Sequence, residues 1–297
     1  MKKSTVLSIF FLFCILFSGC KLNSKLVEDS ASIQLAGVKS KDGVNIAYSV
    51  YGHGDITIVF VHGWSCDSRY WFNQIPYFAP KYRVVCLDYA GHGNSGFGRE
   101  KYTIESFGYD VAAVLSELDA ENAILVGHSM GGSIVLQAAN IAPDRVIGVI
   151  GVDTLHDMGM LYTEEEKMQI YEPLAADFRN NTYQFVSSMF PESTNRKLVD
   201  VIARDMSSAP AEAALNALLE YLKIYDRNLV EKIDIPVKCV NSDFWPSNAE
   251  GNKELNSEFE MALMKGYGHF IMLEAPDEFN SHLDDMIESI LNSNVSK

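Results

Sequence analysis

The sequence predicts an α/β fold: a mostly parallel sheet flanked by helices, with a helical insertion late in the chain. Three observations carry this. Residues 56–61, 123–126 and 146–152 are short, almost wholly apolar and rich in β-branched side chains. Such runs suit strands buried on both faces, as a parallel sheet requires. Between them lie amphipathic stretches, above all residues 104–118, where Ile104, Phe107, Val111, Val114, Leu115 and Leu118 recur at helical spacing. Finally, Gly127-His128-Ser129-Met130-Gly131 joins the strand at 123–126 to a helical stretch at 133–139. A serine on so sharp a strand-to-helix turn is pushed clear of the sheet. Glycines flank it because two backbones cross there too closely for side chains.

Length and composition set the bounds. The chain has 297 residues, 47% of them hydrophobic, enough to bury a sizeable core in one domain or one domain with an insertion. A net charge of -15 and the lack of a basic stripe argue against a nucleic-acid partner. Of five cysteines, Cys14 and Cys20 fall in the leader. Cys66, Cys86 and Cys239 remain, an odd set without paired spacing, so no disulfide framework is expected. No His/Cys spacing suggests a metal site.

The elements follow in order. Lys2-Lys3 precede an apolar run at residues 6–17, too short to span a membrane comfortably, and Ser18-Gly19-Cys20 closes it. This ending resembles the bacterial lipobox, which implies cleavage before Cys20, lipidation of its thiol and membrane attachment through that lipid. Lys21 is not the aspartate associated with inner-membrane retention, which points to the outer membrane of a Gram-negative cell. Residues 1–19 are thus the signal peptide and residues 20–32 a polar tether. Residues 33–153 form the first part of the core. Strands at 33–39 and 45–51 meet antiparallel through the Lys41-Asp42-Gly43 turn. The strand at 56–61 runs into His62-Gly63-Trp64. A helix with Trp71, Phe72 and Ile75 on one face follows, ending near Pro76. The next strand, 83–87, leads to a glycine-rich loop, Asp88-Tyr89-Ala90-Gly91-His92-Gly93-Asn94-Ser95-Gly96. Thr103 is the expected N-cap of the helix through Leu118. From 154 to 232 strand-like runs vanish and helical periodicity takes over, beginning at Thr163-Glu164-Glu165-Glu166 and including residues 210–225. Residues 233–297 return to the core. A strand at 235–240 is ended by Asn241-Ser242-Asp243, and a last strand at 259–264 precedes Gly266-Tyr267-Gly268-His269-Phe270. An amphipathic helix from Pro276 closes the chain.

The glycine-flanked serine in its strand–helix setting, the His-Gly-Trp turn and the D-x-x-G-x-G-x-S loop together resemble the α/β-hydrolase superfamily, in its serine-nucleophile esterase and lipase branch. The resemblance implies an eight-stranded, mostly parallel sheet with helices on both faces and residues 154–232 as a helical cap over the active site. It also implies a triad in chain order: Ser129 as nucleophile, Asp243 as acid, His269 as base. The backbone N–H groups of Trp64 and Met130 become the oxyanion hole. Asp153 is the alternative acid, because some members place it after the preceding strand; the favoured assignment expects Asp243→Asn to lose far more activity than Asp153→Asn. Met158, Met160, Met168, Phe185, Met189, Phe190 and Met206 are candidates for an acyl pocket. His53, His62, His92, His128, His156 and His282 are expected to be structural or exposed.

A serine hydroxyl is a poor nucleophile until a base and a group orienting that base are placed beside it. This triad chemistry needs no cofactor and no metal. The expected reaction is hydrolysis of a carboxylic ester, or a related acyl bond of a small molecule, through an acyl-enzyme. Lactone, thioester and carbon–carbon bond hydrolysis, and perhydrolysis, use the same residues. A cap-gated ligand-binding or sensor protein is the alternative of another class. Serine at the elbow argues against the dehalogenases and epoxide hydrolases of this fold, which carry aspartate there.

Overall fold

The computed structural model describes residues 34–295. The expected signal peptide, Cys20 and the tether lie outside the described residues. In chain order the elements are β1 (Gln34–Lys39), β2 (Asn45–Tyr51), β3 (Thr57–Val61), α1 (Ile75–Phe78), β4 (Arg83–Asp88), α2 (Ile104–Glu117), β5 (Ala123–His128), α3 (Met130–Ile141) and β6 (Val146–Val152). Five helices come next: α4 (Glu164–Ala176), α5 (Phe178–Ser187), α6 (Arg196–Ser207), α7 (Ala211–Tyr221) and α8 (Arg227–Val230). The chain closes with β7 (Val237–Ser242), α9 (Ala249–Leu255), β8 (Glu260–Met264), α10 (Ile271–Glu274) and α11 (Pro276–Val295).

The eight strands form one sheet in the order β1-β2-β4-β3-β5-β6-β7-β8. β2 pairs antiparallel with β1 and β4, and every other pairing is parallel. The fully apolar runs take the centre, where every residue of β3 and β5 is buried. The polar-flanked hairpin takes one edge. α2 and α3 pack against each other, while α11 lies across β6, β7 and β8. α2 begins where its sequence says it should. Thr103 accepts from the Ser106 N–H, and Ser106 accepts from the Thr103 N–H in return, a reciprocal capping box.

One expected helix is replaced. Around Trp71 the chain makes a 3-10 turn at Ser68–Trp71, capped by the Asp67 carboxylate, and α1 starts only at Ile75. Pro76 sits in the first turn of α1 rather than at its end, where its missing N–H costs nothing. Trp71 is fully buried with its ring 4.7 Å from Phe60, whereas Phe72 is 62% exposed, so the supposed common face does not exist.

Helices α4–α8 occupy the chain between β6 and β7, and among the hydrogen bonds that fasten them to the rest are four that begin at residues outside them. The Trp64 indole donates to Ala214 O at 2.7 Å, the Tyr102 N–H to Asn216 Oδ1 at 2.8 Å, Ser133 Oγ to Asp226 Oδ1 at 2.6 Å, and the His269 N–H to Met189 O at 3.0 Å. Two of these four start from residues expected to form the active site. Cys66, Cys86 and Cys239 are free thiols in the interior.

Candidate active site

β5 ends at His128 and α3 begins at Met130, so Ser129 alone makes the turn, at φ 54° and ψ -123°. A side chain held in that region costs about 1–3 kcal/mol, which the surroundings must hold in place. They do so through the backbone. The Ser129 N–H donates to Val152 O at 3.1 Å, and Ser129 O accepts from Thr154 Oγ1 at 2.8 Å. Gly127 is needed because a Cβ there would stand 2.2 Å from Gly131 O.

The His62-Gly63-Trp64 turn presses on this elbow. A Cβ at Gly63 would lie 3.1 Å from Ser129 Cβ and 2.8 Å from His128 Nδ1, so only glycine lets the chain pass into Trp64. Tyr89 donates its hydroxyl to Gly63 O at 2.7 Å and stacks on His62 with ring centroids 4.0 Å apart. Met130 is the first residue of α3, where helix geometry gives a backbone N–H no intrahelical acceptor. The loop after β4 holds the turn from outside. Asp88 accepts from the Ser68 N–H at 2.7 Å and from the Asn94 N–H at 2.8 Å, and Ser95 donates to Asp88 O. His92 packs against Tyr89 inside this scaffold.

His269 Nδ1 lies 2.6 Å from Asp153 Oδ2. The other oxygen of Asp153 accepts the Ser242 N–H at 2.7 Å. Burial alone would raise the Asp153 carboxyl, but the His269 hydrogen bond and charge, with smaller help from His156 and the Ser242 amide, hold it below the usual carboxylate value. Asp153 is therefore a buried carboxylate that receives a donor on each oxygen.

The expected pairing of Asp243 with His269 is not what the structure shows. Asp243 is exposed, and its Oδ1 accepts the Gly266 N–H at 2.7 Å. The reason lies in the strand ends. β7 continues through Ser242, so Asp243 opens a turn beside β8, where its own N–H donates to Met264 O. Asp153 follows β6, next to β5, and its positive φ of 44° redirects the chain at once.

Two groups that hold His269 were not foreseen. His128 Nε2 lies 2.9 Å from His269 O, and burial, then the nearby His269, lower the His128 imidazole to about 3, so it is neutral. Glu274 Oε1 accepts from the Gly268 N–H at 2.9 Å and the Phe270 N–H at 3.3 Å, bracketing the histidine. His128 stood in the sequence as the variable position of the elbow. The Glu274 signal was its place five residues after His269, at the end of a one-turn helix.

Ser129 and His269 line one cavity of about 120 Å³ together with Trp64, Cys66, His128, Phe270 and residues of the chain between β6 and β7. Of the pocket candidates, Phe185, Met189 and Met206 line it. Met158 is buried elsewhere, Met160 and Met168 reach the surface, and Phe190 stacks on Phe270. Tyr162, Ile170, Leu218, Tyr221 and Leu222 also line it without having been singled out by the sequence. Ile170, Leu218 and Tyr221 stand on helices and Tyr162 and Leu222 beside helix ends, and nothing in the pattern separates them from packing residues.

A family model described as the alpha/beta hydrolase fold matches residues 56–199. The chain is 35% identical over 207 residues to the Karrikin insensitive 2 receptor IA of Petunia hybrida, covering 66% of this chain and 76% of that protein. The chain belongs to the α/β-hydrolase fold family. Another member, the bifunctional esterase/perhydrolase DCH of Acinetobacter calcoaceticus, is 25% identical over 274 residues, covering 85% of this chain and 99% of that protein. Among solved structures, the bromoperoxidase from Bacillus anthracis superposes with a TM-score of 0.77 at 23% identity, covering 86% of this chain and 100% of that one. α/β-hydrolases carry their chemistry on loops after the strands, and Trp64, Ser129, Asp153 and His269 all stand on such loops here.

Proposed function

We propose that this protein is a serine hydrolase that cleaves carboxylic esters of small molecules through an acyl-enzyme. The observation that carries the reading is that Ser129 and His269 line one cavity, with Asp153 2.6 Å behind the histidine. In this reading His269 takes the Ser129 proton as the hydroxyl attacks the carbonyl carbon. Asp153 fixes the imidazole with its proton on Nδ1, so that Nε2 is the base. The N–H groups of Trp64 and Met130 receive the developing oxyanion. His269 then protonates the leaving alcohol, and a water deprotonated by the same histidine releases the acid.

The cavity that Ser129 and His269 share measures about 120 Å³. It suits an acetyl-sized to butyryl-sized acyl group better than a long chain. The relative named as an esterase and perhydrolase supports acyl transfer to water or to peroxide on one site. The test is turnover of p-nitrophenyl acetate and octanoate by wild type and Ser129→Ala. Preferential cleavage of acetate, abolished in the variant, is expected; undiminished turnover in the variant would refute the assignment.

A second reading, ligand sensing on the same fold, is favoured by the 35% identity to a protein named as a receptor. Under that reading Ser129→Ala keeps full biological activity. Membrane attachment through a lipidated Cys20 is a separate proposal, resting on the Ser18-Gly19-Cys20 ending. Metabolic labelling with a fatty acid should mark the wild type and not Cys20→Ala.

A further inference from the structure

The carboxylate behind His269 has a second histidine on its far side. His156 Nε2 is buried, has no hydrogen-bond partner among the described residues, and stands 4.0 Å from Asp153 Oδ1. Which nitrogen carries the proton follows from a neighbour. Asn241 accepts the Thr154 N–H on Oδ1 at 3.2 Å and donates from Nδ2 to Thr154 O at 3.0 Å, so the backbone fixes the orientation of its amide. The same Nδ2 is 3.4 Å from His156 Nδ1, and Ser247 Oγ is 2.8 Å from that nitrogen. Ser247 Oγ at 3.5 Å and Met261 Sδ at 3.7 Å are the amide's other acceptors, and Nδ1, the nearest of the three, is assigned as an acceptor. The Ser247 hydroxyl therefore donates to Nδ1, and the His156 proton sits on Nε2, facing the carboxylate. The loop that carries this histidine is fixed as well: His156 O accepts the Asn248 N–H at 2.7 Å, and Trp245 presents its ring to both His156 and His269.

We infer that His156 is a positioning residue of the active site, whose Nε2–H disperses the charge of Asp153 and so sets how strongly that carboxylate draws a proton onto His269. This rests on the reading of Asp153 as the triad acid. The titratable groups facing Asp153 are His269, His156, His128, Glu274 and Cys239. Those facing His156 are Asp153 and His269. Burial, outweighing Asp153 and joined by His269, lowers the His156 imidazole; His128 is held down to about 3, and the Cys239 thiol is pushed up to about 12 by burial. Burial thus disfavours the charged form of all three. Glu274, raised by burial, faces Asp153 but spends both oxygens on the His269 loop and Thr194. A dipole pointing its positive end at Asp153 makes the carboxylate a weaker partner for imidazolium. Removing it should strengthen the pairing of the carboxylate with the imidazolium.

The experiment is the pH profile of kcat/KM for p-nitrophenyl acetate with wild type, His156→Phe and His156→Gln. His156→Phe keeps the ring against Trp245 and removes both nitrogens. Its acid limb should move up by about 0.5 pH unit, lowering kcat/KM about threefold at pH 6 with little change at pH 8.5. His156→Gln restores a donor and should return the limb toward wild type. A Phe variant that superposes on wild type, or a Gln variant displaced as far as the Phe variant, overturns the inference. Nitrogen-15 NMR of the wild-type protein tests the tautomer without any variant: Nε2–H is expected, and Nδ1–H overturns it. Asp153→Asn is run alongside. If it remains fully active, the reading of the acid itself has failed; if it is inactive while the His156 profiles coincide, only this inference has.

Discussion

Asp153 receives the Ser242 N–H on one oxygen and His269 on the other. Asp243, one strand further from Ser129, caps the turn at Gly266 instead. Replacing Asp153 by asparagine should therefore cost about 10⁴-fold in kcat by offering His269 the wrong hydrogen-bond partner. Asp243→Asn should change kcat by no more than about threefold, because its partner is a backbone amide on an exposed turn. Steady-state kinetics on the two variants checks both, and equal losses would contradict the geometry. The order of these effects reverses the one expected from the sequence. Both aspartates follow a strand, and nothing in the residues around either reveals where its carboxylate points. The choice depends on where β7 stops and on a positive φ at Asp153, which are properties of the assembled sheet. Ser129 was legible because its glycines and the flanking periodicities are local. His128 was not, since it acts on a segment that only the fold brings to it, and Glu274, though close to His269 in the chain, has no pattern that shows its carboxylate turning back on the loop.

At the scale of elements, the elbow is a crossing of two backbones. Gly127→Ala would drive a methyl to 2.2 Å from Gly131 O, a backbone atom that cannot yield without moving α3. A loss of about 3 kcal/mol or more is expected, seen as a large fall in the denaturant midpoint or absence of soluble protein. The junction of α8 with α3 has a different sensitivity. Asp226 accepts from Ser133 Oγ at 2.6 Å, and burial raises its carboxyl to about 6 against the lowering effect of that bond. A carboxyl whose folded value is raised favours folding at low pH. That contribution fades as pH rises past the ordinary value, and above 6 the ionised group opposes folding. Asp226→Asn keeps an acceptor for Ser133 without the charge. Its Tm should exceed wild type by about 2–4 °C at pH 8 and match it at pH 4; equal differences at both would show that Asp226 carries no such burden. The short segments were the poorest part of the sequence reading. The 3-10 turn and α1 share too few residues for periodicity to separate them from one helix, and Pro76 reads equally well as a stop or a start.

At the scale of the molecule, helices α4–α8 and the sheet are joined at the site itself. Trp64 follows the glycine that presses on the elbow and gives its indole to Ala214 O, and His269 donates its N–H to Met189 O. The helices between β6 and β7 thus shape the space into which Ser129 opens, and Phe185 and Trp64 meet edge-on at 6.4 Å beside it. Phe185→Ala should enlarge that space. The preference for acetyl over octanoyl esters, expected to be at least about tenfold in wild type, should shrink toward parity. An unchanged ratio would place the limit on chain length elsewhere. The sheet was largely legible, because β3, β5 and β6 are buried runs whose composition admits little else. The lining of the cavity was not, because a residue such as Tyr162 or Leu218 faces a space rather than a neighbour only once the helices are stacked.

The most direct test of the account is acid quench of the enzyme during turnover of p-nitrophenyl acetate, followed by peptide mass mapping. The wild type should carry a single acetyl group on the peptide containing Ser129, and Ser129→Ala should carry none. An unmodified wild type that still turns over substrate, or acetylation that persists elsewhere in the variant with full activity, would contradict the central claim that Ser129 is the nucleophile.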